Sequence, residues 1–297
     1  MNRTIEYIFP EEYAGRKISD FLKDKGYTKQ GIIELKFSES FIEVDGKHQN
    51  MCDLIVPGSK LSVNIRESES SEKIPPVKLP FPVVYEDEDL VVVNKPARMP
   101  SHPSLNNYEN TLGNAAVYYY ESQGKALIYR CINRLDRDTT GLTIIAKNII
   151  SAGILYNQHK ESKICKEYTA IVCGEDLEDS GVVDLPIGRA PNSTIERMID
   201  QDNGDRAVTH YEVIKRGNGL SLVKLRLETG RTHQIRVHMK AIGHPLIGDF
   251  LYYPEDKRMD RQALHMGDIS FFQPITGERI ELMAPLPEDM RIIIEGM

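Results

Sequence analysis

The chain has 297 residues, 40% hydrophobic and 27% charged, with no Trp and a formal net charge of −7 at pH 7. That composition is ordinary for a globular protein and the length allows more than one domain. No apolar run reaches the roughly 18 residues of a membrane span. The opening MNRTIEYIFPEE lacks the basic and apolar regions of a secretory signal, so a cytoplasmic protein with no membrane partner is expected.

Apolar spacing predicts two short amphipathic helices over residues 18–22 and 31–35. Residues 41–44 then read as a strand running into Asp45-Gly46, a hairpin signal, and residues 61–65 alternate as another strand. Two helices and a small β-ribbon make residues 1–66 a compact α/β binding module. The stretch ESESSEKIPPVK has linker composition, which sets a linker at 67–79 and a larger catalytic unit at 80–297. In that unit, residues 82–85 and 90–96 flank an acidic turn and read as a hairpin whose second strand is buried. Helices are expected over 111–122 and 149–162, and strands over 142–147, 168–172 and near 206–215, 221–229, 268–272 and 278–283. Strands often follow one another directly, so the fold class is α+β with a mixed, mainly antiparallel sheet. There is no GxGxxG, no phosphate-binding GxxxxGKS or GxxxxGKT, and no internal repeat. Cys52, Cys131, Cys165 and Cys173 lack CxxC spacing, so reduced, buried thiols are expected.

The acidic excess is unevenly placed. Between Ser221 and Pro245 the basic residues Lys224, Arg226, Arg231, Arg236 and Lys240 face a single acidic residue, Glu228, with His233, His238 and His244 in addition. Such a cationic segment in an anionic protein suits an anionic ligand bound at one face.

Arg134-Leu135-Asp136-Arg137-Asp138-Thr139-Thr140-Gly141 holds a carboxylate between two arginines and ends at a glycine turn. A neighbouring cation favours the charged form, and a held carboxylate serves as nucleophile, general base or metal ligand. The same octet also fits a surface turn in which Asp138 and the threonines cap backbone N–H groups. It further satisfies DxDxT, the nucleophile loop of haloacid-dehalogenase-like phosphatases. That reading needs Mg²⁺, a parallel sheet and a later Asp-Asp pair, and no such pair occurs.

Residues 230–240 begin at a strand end and turn helical, with Thr232 as expected N-cap and Gly243 as stop. Ile235, Met239 and Ile242 form a core stripe, which sends His233, Arg236 and Lys240 along a different face. A basic face at a helix N-terminus binds anions, with a solvated charged face as the alternative. Arg231 sits at the strand-to-helix corner. His233 and His238 lack the i, i+4 spacing of a zinc helix, and His102 and His265 are isolated, so no metal is expected. Tyr168, in Lys166-Glu167-Tyr168-Thr169-Ala170, is a half-buried strand residue or, if the ligand is a nucleobase, a stacking ring.

Taken in order, several blocks resemble one family. They are Val91-Val92-Val93-Asn94-Lys95-Pro96 with Ser101-His102-Pro103, the Asp136 octet, the Tyr168 strand, Gly230 to His238, Gly243-His244-Pro245-Leu246-Ile247-Gly248-Asp249, Gln262-Ala263-Leu264-His265 and Pro285-Leu286-Pro287. Over about residues 80 to 297 they resemble the RluA/RluD-type pseudouridine synthases, which isomerise uridine in structured RNA. The resemblance implies the pseudouridine synthase fold, with Asp136 as nucleophile and Tyr168 stacking on a flipped uridine and helping remove the C5 proton. It implies that Arg236 pairs with the nucleophile, and it leaves Arg134, Arg137, Arg231, His233 and Lys240 to bind RNA and Asp138 to brace the turn. The isomerisation involves no redox change and no net loss of atoms, so no cofactor is expected. Large-subunit ribosomal RNA is the implied substrate, with transfer RNA second, and a monomer is expected. A non-catalytic RNA-binding or ribosome-assembly factor is the alternative, against which intact Asp136, Tyr168 and Arg236 argue.

Gly15 to Leu22 and Phe41 to Lys47 also resemble the αL RNA-binding domain of a ribosomal small-subunit protein, although residues 1–66 balance ten basic with ten acidic side chains. Thr28-Lys29 stands where that domain has Ser-Arg, and Asn133 and Arg98 stand where the synthases commonly have His and Gly.

Overall fold

A computed structural model describes residues 2–105 and 107–297; Met1 of the expected module lies outside the described residues. The first elements are β1 (Asn2–Ile8), α1 (Ile18–Asp24), α2 (Lys29–Phe37), β2 (Phe41–Val44), β3 (Lys47–Gln49) and β4 (Lys60–Arg66). The expected ribbon is in fact a four-stranded sheet in the order β1-β4-β2-β3, because β1 pairs antiparallel along the whole of β4. Thr28 caps α2 by accepting the Gly31 N–H on its hydroxyl. The apolar faces of these elements close a core of Ile5, Phe9, Phe21, Leu22, Leu61 and Val63.

The rest comprises β5 (Val83–Glu86), β6 (Leu90–Lys95), α3 (Leu112–Glu121), β7 (Arg130–Cys131), β8 (Thr140–Ala146), α4 (Ile149–Lys160), β9 (Cys165–Cys173) and β10 (Ser180–Asp184). It continues with β11 (Ile187–Arg189), β12 (Arg197–Ile199), β13 (Val208–Gly217), β14 (Leu220–Leu227), α5 (Gln234–Ala241), β15 (Leu264–Phe272), β16 (Arg279–Met283) and α6 (Glu288–Gly296). A ten-stranded sheet runs β10-β13-β14-β9-β15-β8-β6-β5, with β16 beside β15 and β7 beside β8. Among the described residues only β15 and β8 pair in parallel, so the sheet is mixed and mainly antiparallel, as the strand succession predicts.

Period-two alternation buries this sheet on both faces. Leu90, Val92, Ile144, Ala170 and Val223 face Leu155 of α4 and Ile235 and Met239 of α5. Val91, Val93 and Ile145 face Leu112, Ala116 and Tyr120 of α3, while Ile171 and Leu222 face Met290 of α6. The functional cleft opens on the α4 and α5 side.

Two expectations are corrected. Gly141 is a strand residue at the start of β8, with φ of 125°, and a Cβ there would collide with the Met266 carbonyl, so glycine is what lets β8 meet β15. The thiols are not all buried: Cys52 and Cys165 are exposed and Cys131 and Cys173 half-buried, because Cys52 sits in a turn and Cys165 at the open end of β9. The stretch from 67 to 79, the expected linker, carries no helix or strand and is bonded to α3 and to the segment before β7. Ser70 and Ser71 accept the Leu127 and Tyr129 N–H groups, and Asn114 donates to the Pro75 carbonyl.

Candidate active site

The loop between β7 and β8 presents Asp136 and is held at several points. Asn133 donates to the Leu142 carbonyl and accepts the Ile144 N–H, so its amide pairs with β8 as a strand backbone would. The Ser101 hydroxyl accepts the Leu135 N–H at 3.2 Å and donates to the Leu135 carbonyl at 3.0 Å. Lys95, fully buried at the end of β6, donates to the carbonyls of Pro96, Met99 and Arg137 at 2.9, 2.8 and 3.1 Å. Burial pushes this lysine down to about 7, with the charges of Asp138 and Asp136 opposing the shift.

Asp136 lies on a cleft of about 580 Å³, lined also by His102, Arg134, Tyr168, Arg231 and His233. The Arg236 Nη1 donates to its Oδ2 at 3.2 Å, and the His233 Nε2 lies 3.8 Å from the same oxygen. Among the described residues, the flanking arginines expected to keep Asp136 ionised form no ion pair with it; its ionic partner is Arg236 from across the cleft, with the His233 ring beside it. Arg137 instead donates to Asp138 at 2.7 and 2.9 Å, and Asp138 is buried.

Arg236 is itself fixed from behind. Its Nε and Nη2 donate to the two Asp249 oxygens at 2.6 and 2.7 Å, and Asp249 also accepts the Leu251 and Tyr252 N–H groups. The guanidinium carbon lies 4.9 Å from the Tyr252 ring centroid and 5.7 Å from that of Phe250. A bidentate pair between aromatic faces leaves one direction free, and there Nη1 meets Asp136. At Arg236, 3% exposed, the basic helix face is not a solvated one, whereas Lys240 at its far end is exposed.

The corner before α5 differs from the expectation that Thr232 caps it. His233 is the N-cap residue, in the left-handed region at φ of 60°, and Gln234 closes the corner by accepting from Thr229 and the Arg231 N–H. Gly243 ends the helix as expected, its N–H donating to the Lys240 carbonyl. The left-handed cap turns His233 into the cleft. Its Nδ1 lies 2.9 Å from the Tyr252 hydroxyl, which already accepts the Arg197 N–H at 2.9 Å. That hydroxyl then has its own proton to give to Nδ1, which leaves Nε2–H facing Asp136. Burial holds this imidazole below its ordinary value in spite of the Asp136 charge.

Tyr168, on β9, is 7% exposed and lines the same cleft. Burial, and then the Asp136 charge, push its phenol up, so it meets a ligand protonated.

Asp136, Tyr168, Arg236 and His233 thus converge, with Arg134 and Arg137 on the cleft wall and Arg231 at its rim. Lys240 does not line the cleft; its ammonium lies 5.7 Å from the Tyr252 ring. The DxDxT phosphatase reading fails on the mainly antiparallel sheet and on an Asp138 engaged by Arg137. Asp249, Tyr252, Lys95 and Ser101 had been assigned no role from sequence. Gly248-Asp249 followed by Phe250, Tyr252 and Tyr253 was the available signal, an acid among aromatics suited to holding a guanidinium.

The family model for RNA pseudouridylate synthase matches residues 89–241. A Bacillus subtilis (strain 168) protein named Uncharacterized RNA pseudouridine synthase YjbO is 37% identical over 286 residues, covering 96% of this chain and 98% of its own. Ribosomal large subunit pseudouridine synthase D of Pasteurella multocida (strain Pm70) is 37% identical over 273 residues, 87% of this chain and 84% of its own. Among solved structures, human RNA Pseudouridylate Synthase Domain Containing 1 superposes with a TM-score of 0.60 at 26% identity, over 75% of this chain and 96% of that one. A match to the family model over more than half the chain, and relatives at this identity along most of it, place this protein in the RNA pseudouridylate synthase family of isomerases.

Proposed function

We propose that this enzyme isomerises uridines of large-subunit ribosomal RNA, with Asp136 as nucleophile. The observation that carries the chemical part is the Asp136 carboxylate set 3.2 Å from an Arg236 that Asp249 immobilises, beside the Tyr168 ring. In the reaction the bond from N1 to ribose C1′ breaks, a bond from C5 to C1′ forms, C5 loses a proton and N1 gains one. Atoms and electrons balance within the substrate, so no cofactor is invoked. The target base must leave its stack to reach the cleft, at a cost of a few kcal/mol that backbone contacts offset. Arg236 then holds the carboxylate in place, and the Tyr168 ring stacks on the extruded base. Because its phenol is protonated, Tyr168 can carry the C5 proton away only by passing its own proton onward.

The ribosomal substrate is supported by relatives named for the large ribosomal subunit, one of them 37% identical to this chain, with transfer RNA as the second reading. Residues 1–66 serve in this proposal as a module that guides RNA toward the catalytic unit over 80–297.

The test is to map pseudouridines in total RNA of a strain lacking the gene, then of the same strain carrying wild-type or Asp136→Asn protein. A large-subunit site lost on deletion and restored only by the wild type is the expected result. Asp136→Asn should lower turnover by a factor on the order of 10⁴ or more. Restoration by Asp136→Asn overturns the nucleophile assignment; a lost site in transfer RNA overturns the substrate.

A further inference from the structure

A second hollow, of about 430 Å³, lies beside the Asp136 cleft and shares Gly230, Arg231 and Thr232 with it. Its other side is the two-stranded hairpin of β11 and β12. In that hairpin Arg189 stands directly opposite Arg197. Two like charges facing each other across an antiparallel pair destabilise it, unless an anion comes between them. Neither arginine has a carboxylate partner among the described residues. Arg197 gives its guanidinium only to the carbonyls of Ile195 and Glu196, and the exposed Arg189 side chain makes no hydrogen bond or ion pair.

Period two fixes which way the pair faces. Arg189 and Arg197 share a face with Ile187 and Ile199, and those two pack with Val237 of α5 and with Tyr252. The arginines therefore flank the hollow on the active-site side, across from Arg231. Asp205 is the single acid on its lining, 3.6 Å from Arg231, so three guanidinium groups meet one carboxylate. The hairpin is also wired to the reaction centre, through the Arg197 N–H to the Tyr252 hydroxyl and from there to His233.

We propose that this hollow is a phosphate subsite: Arg189 and Arg197, with Arg231, grip a backbone phosphate of the RNA strand next to the nucleotide in the Asp136 cleft. The proposal rests on the reading that RNA occupies that cleft. Guanidinium groups suit the role because they pair with phosphate oxygens in a bidentate way. Filling the subsite also removes the repulsion within the hairpin, so RNA binding and hairpin order reinforce each other. Phosphate contacts position a strand without reading its sequence, so the subsite sets register rather than base preference.

The experiment uses the full chain and an unmodified large-subunit ribosomal RNA transcript. Binding is measured by filter retention across a series of KCl concentrations, and pseudouridine formation is followed in parallel. The double variant Arg189→Ala/Arg197→Ala should flatten the slope of log affinity against log salt by about 1.4 to 1.8, two contacts' worth, and raise KM more than it lowers kcat. Arg189→Lys/Arg197→Lys should keep most of the slope at an unchanged melting temperature. Arg189→Ala alone, at an exposed and unpartnered side chain, should remove about half of the effect without disturbing the fold. An unchanged slope in Arg189→Ala and in the double variant overturns the subsite. If the wild type binds the transcript with the expected slopes yet forms no pseudouridine, the functional reading fails while the subsite stands. If the wild type is active and the slopes are equal, the subsite alone fails.

Discussion

Asp249 accepts two hydrogen bonds from Arg236 and two from backbone, and by doing so it decides where the third guanidinium edge points. Asp249→Asn replaces one acceptor by an N–H₂ that faces the guanidinium, so Arg236 loses its seat while Asp136 stays intact. We expect turnover to fall by about 10- to 100-fold, as for other outer-shell partners, with RNA affinity little changed. Unfolding free energy should drop by about 3 kcal/mol, because the buried guanidinium loses its bidentate carboxylate and keeps only the half-exposed Asp136. Wild-type turnover in a folded Asp249→Asn protein would refute this role. Tyr168→Phe should keep the stacking face and lose part of the rate; a normal rate would remove the hydroxyl from the mechanism. Lys95 gives a pH signature. Its ammonium is lowered from about 10.5 to about 7, so between those values the unfolded chain binds one more proton than the folded one, and stability rises with pH across that window. Lys95→Met should flatten that rise, and an equal gain in unfolding free energy from pH 7 to pH 10 in wild type and variant, read from urea titrations, would refute it. Much of this site was legible: Asp136, Tyr168, Arg236 and His233 each stood in a charged or aromatic pattern. Asp249 and Lys95 were not, because the contacts that tie them to the site, Arg236 to Asp249 and Lys95 to the Arg137 carbonyl, span 13 and 42 residues of sequence.

At the level of elements, α4 does two things. Its Ile150 and Ile154 complete the core of the N-terminal module, while Tyr156 and His159 line the catalytic cleft. The crossing with α2 is close: a Cβ at Gly153 would lie 2.9 Å from the Thr28 side chain, the residue that caps α2. Gly153→Val should therefore push the cap away, destabilise the protein by about 1 to 3 kcal/mol and expose the segment after β4 to protease. Unchanged melting and proteolysis would show that the crossing gives way without cost. Apolar pattern was a good guide where an element has one clear apolar face, as in α1 and α3, or is apolar on both, as in β6. It missed β1, whose polar and apolar residues become a pattern only once β4 is beside it, and the short β11 and β12, where two arginines are placed by pairing alone. It also left out α6, although Met290, Ile293 and Ile294 recur at helical spacing, because the preceding Pro285 and Pro287 suggest a loop.

Across the whole molecule, Asp89 joins parts that composition would separate. This buried carboxylate accepts from Arg3 of β1 through Nε and Nη2, from Asn148 and Ser151 at the start of α4, and from Gln273 after β15. Arg130 and Glu67 add a second bidentate pair between the larger sheet and the chain leaving β4. With Ile150 and Ile154 inside the module's core, the two sheets share apolar surface as well as charge. The consequence is cooperative unfolding: the wild type should melt in a single calorimetric transition whose van't Hoff and calorimetric enthalpies agree. Among the described residues Arg3 is the only cation bonded to Asp89, so Arg3→Met leaves the carboxylate buried with neutral donors. The loss should be about 2 to 4 kcal/mol, and it falls on the junction rather than on either core. Unfolding of Arg3→Met should then split, with the N-terminal module melting first and the catalytic sheet, cleft included, at a temperature near that of the wild type. A single transition that only shifts downward would mean that the shared apolar surface on α4 couples the two sheets without help from Asp89.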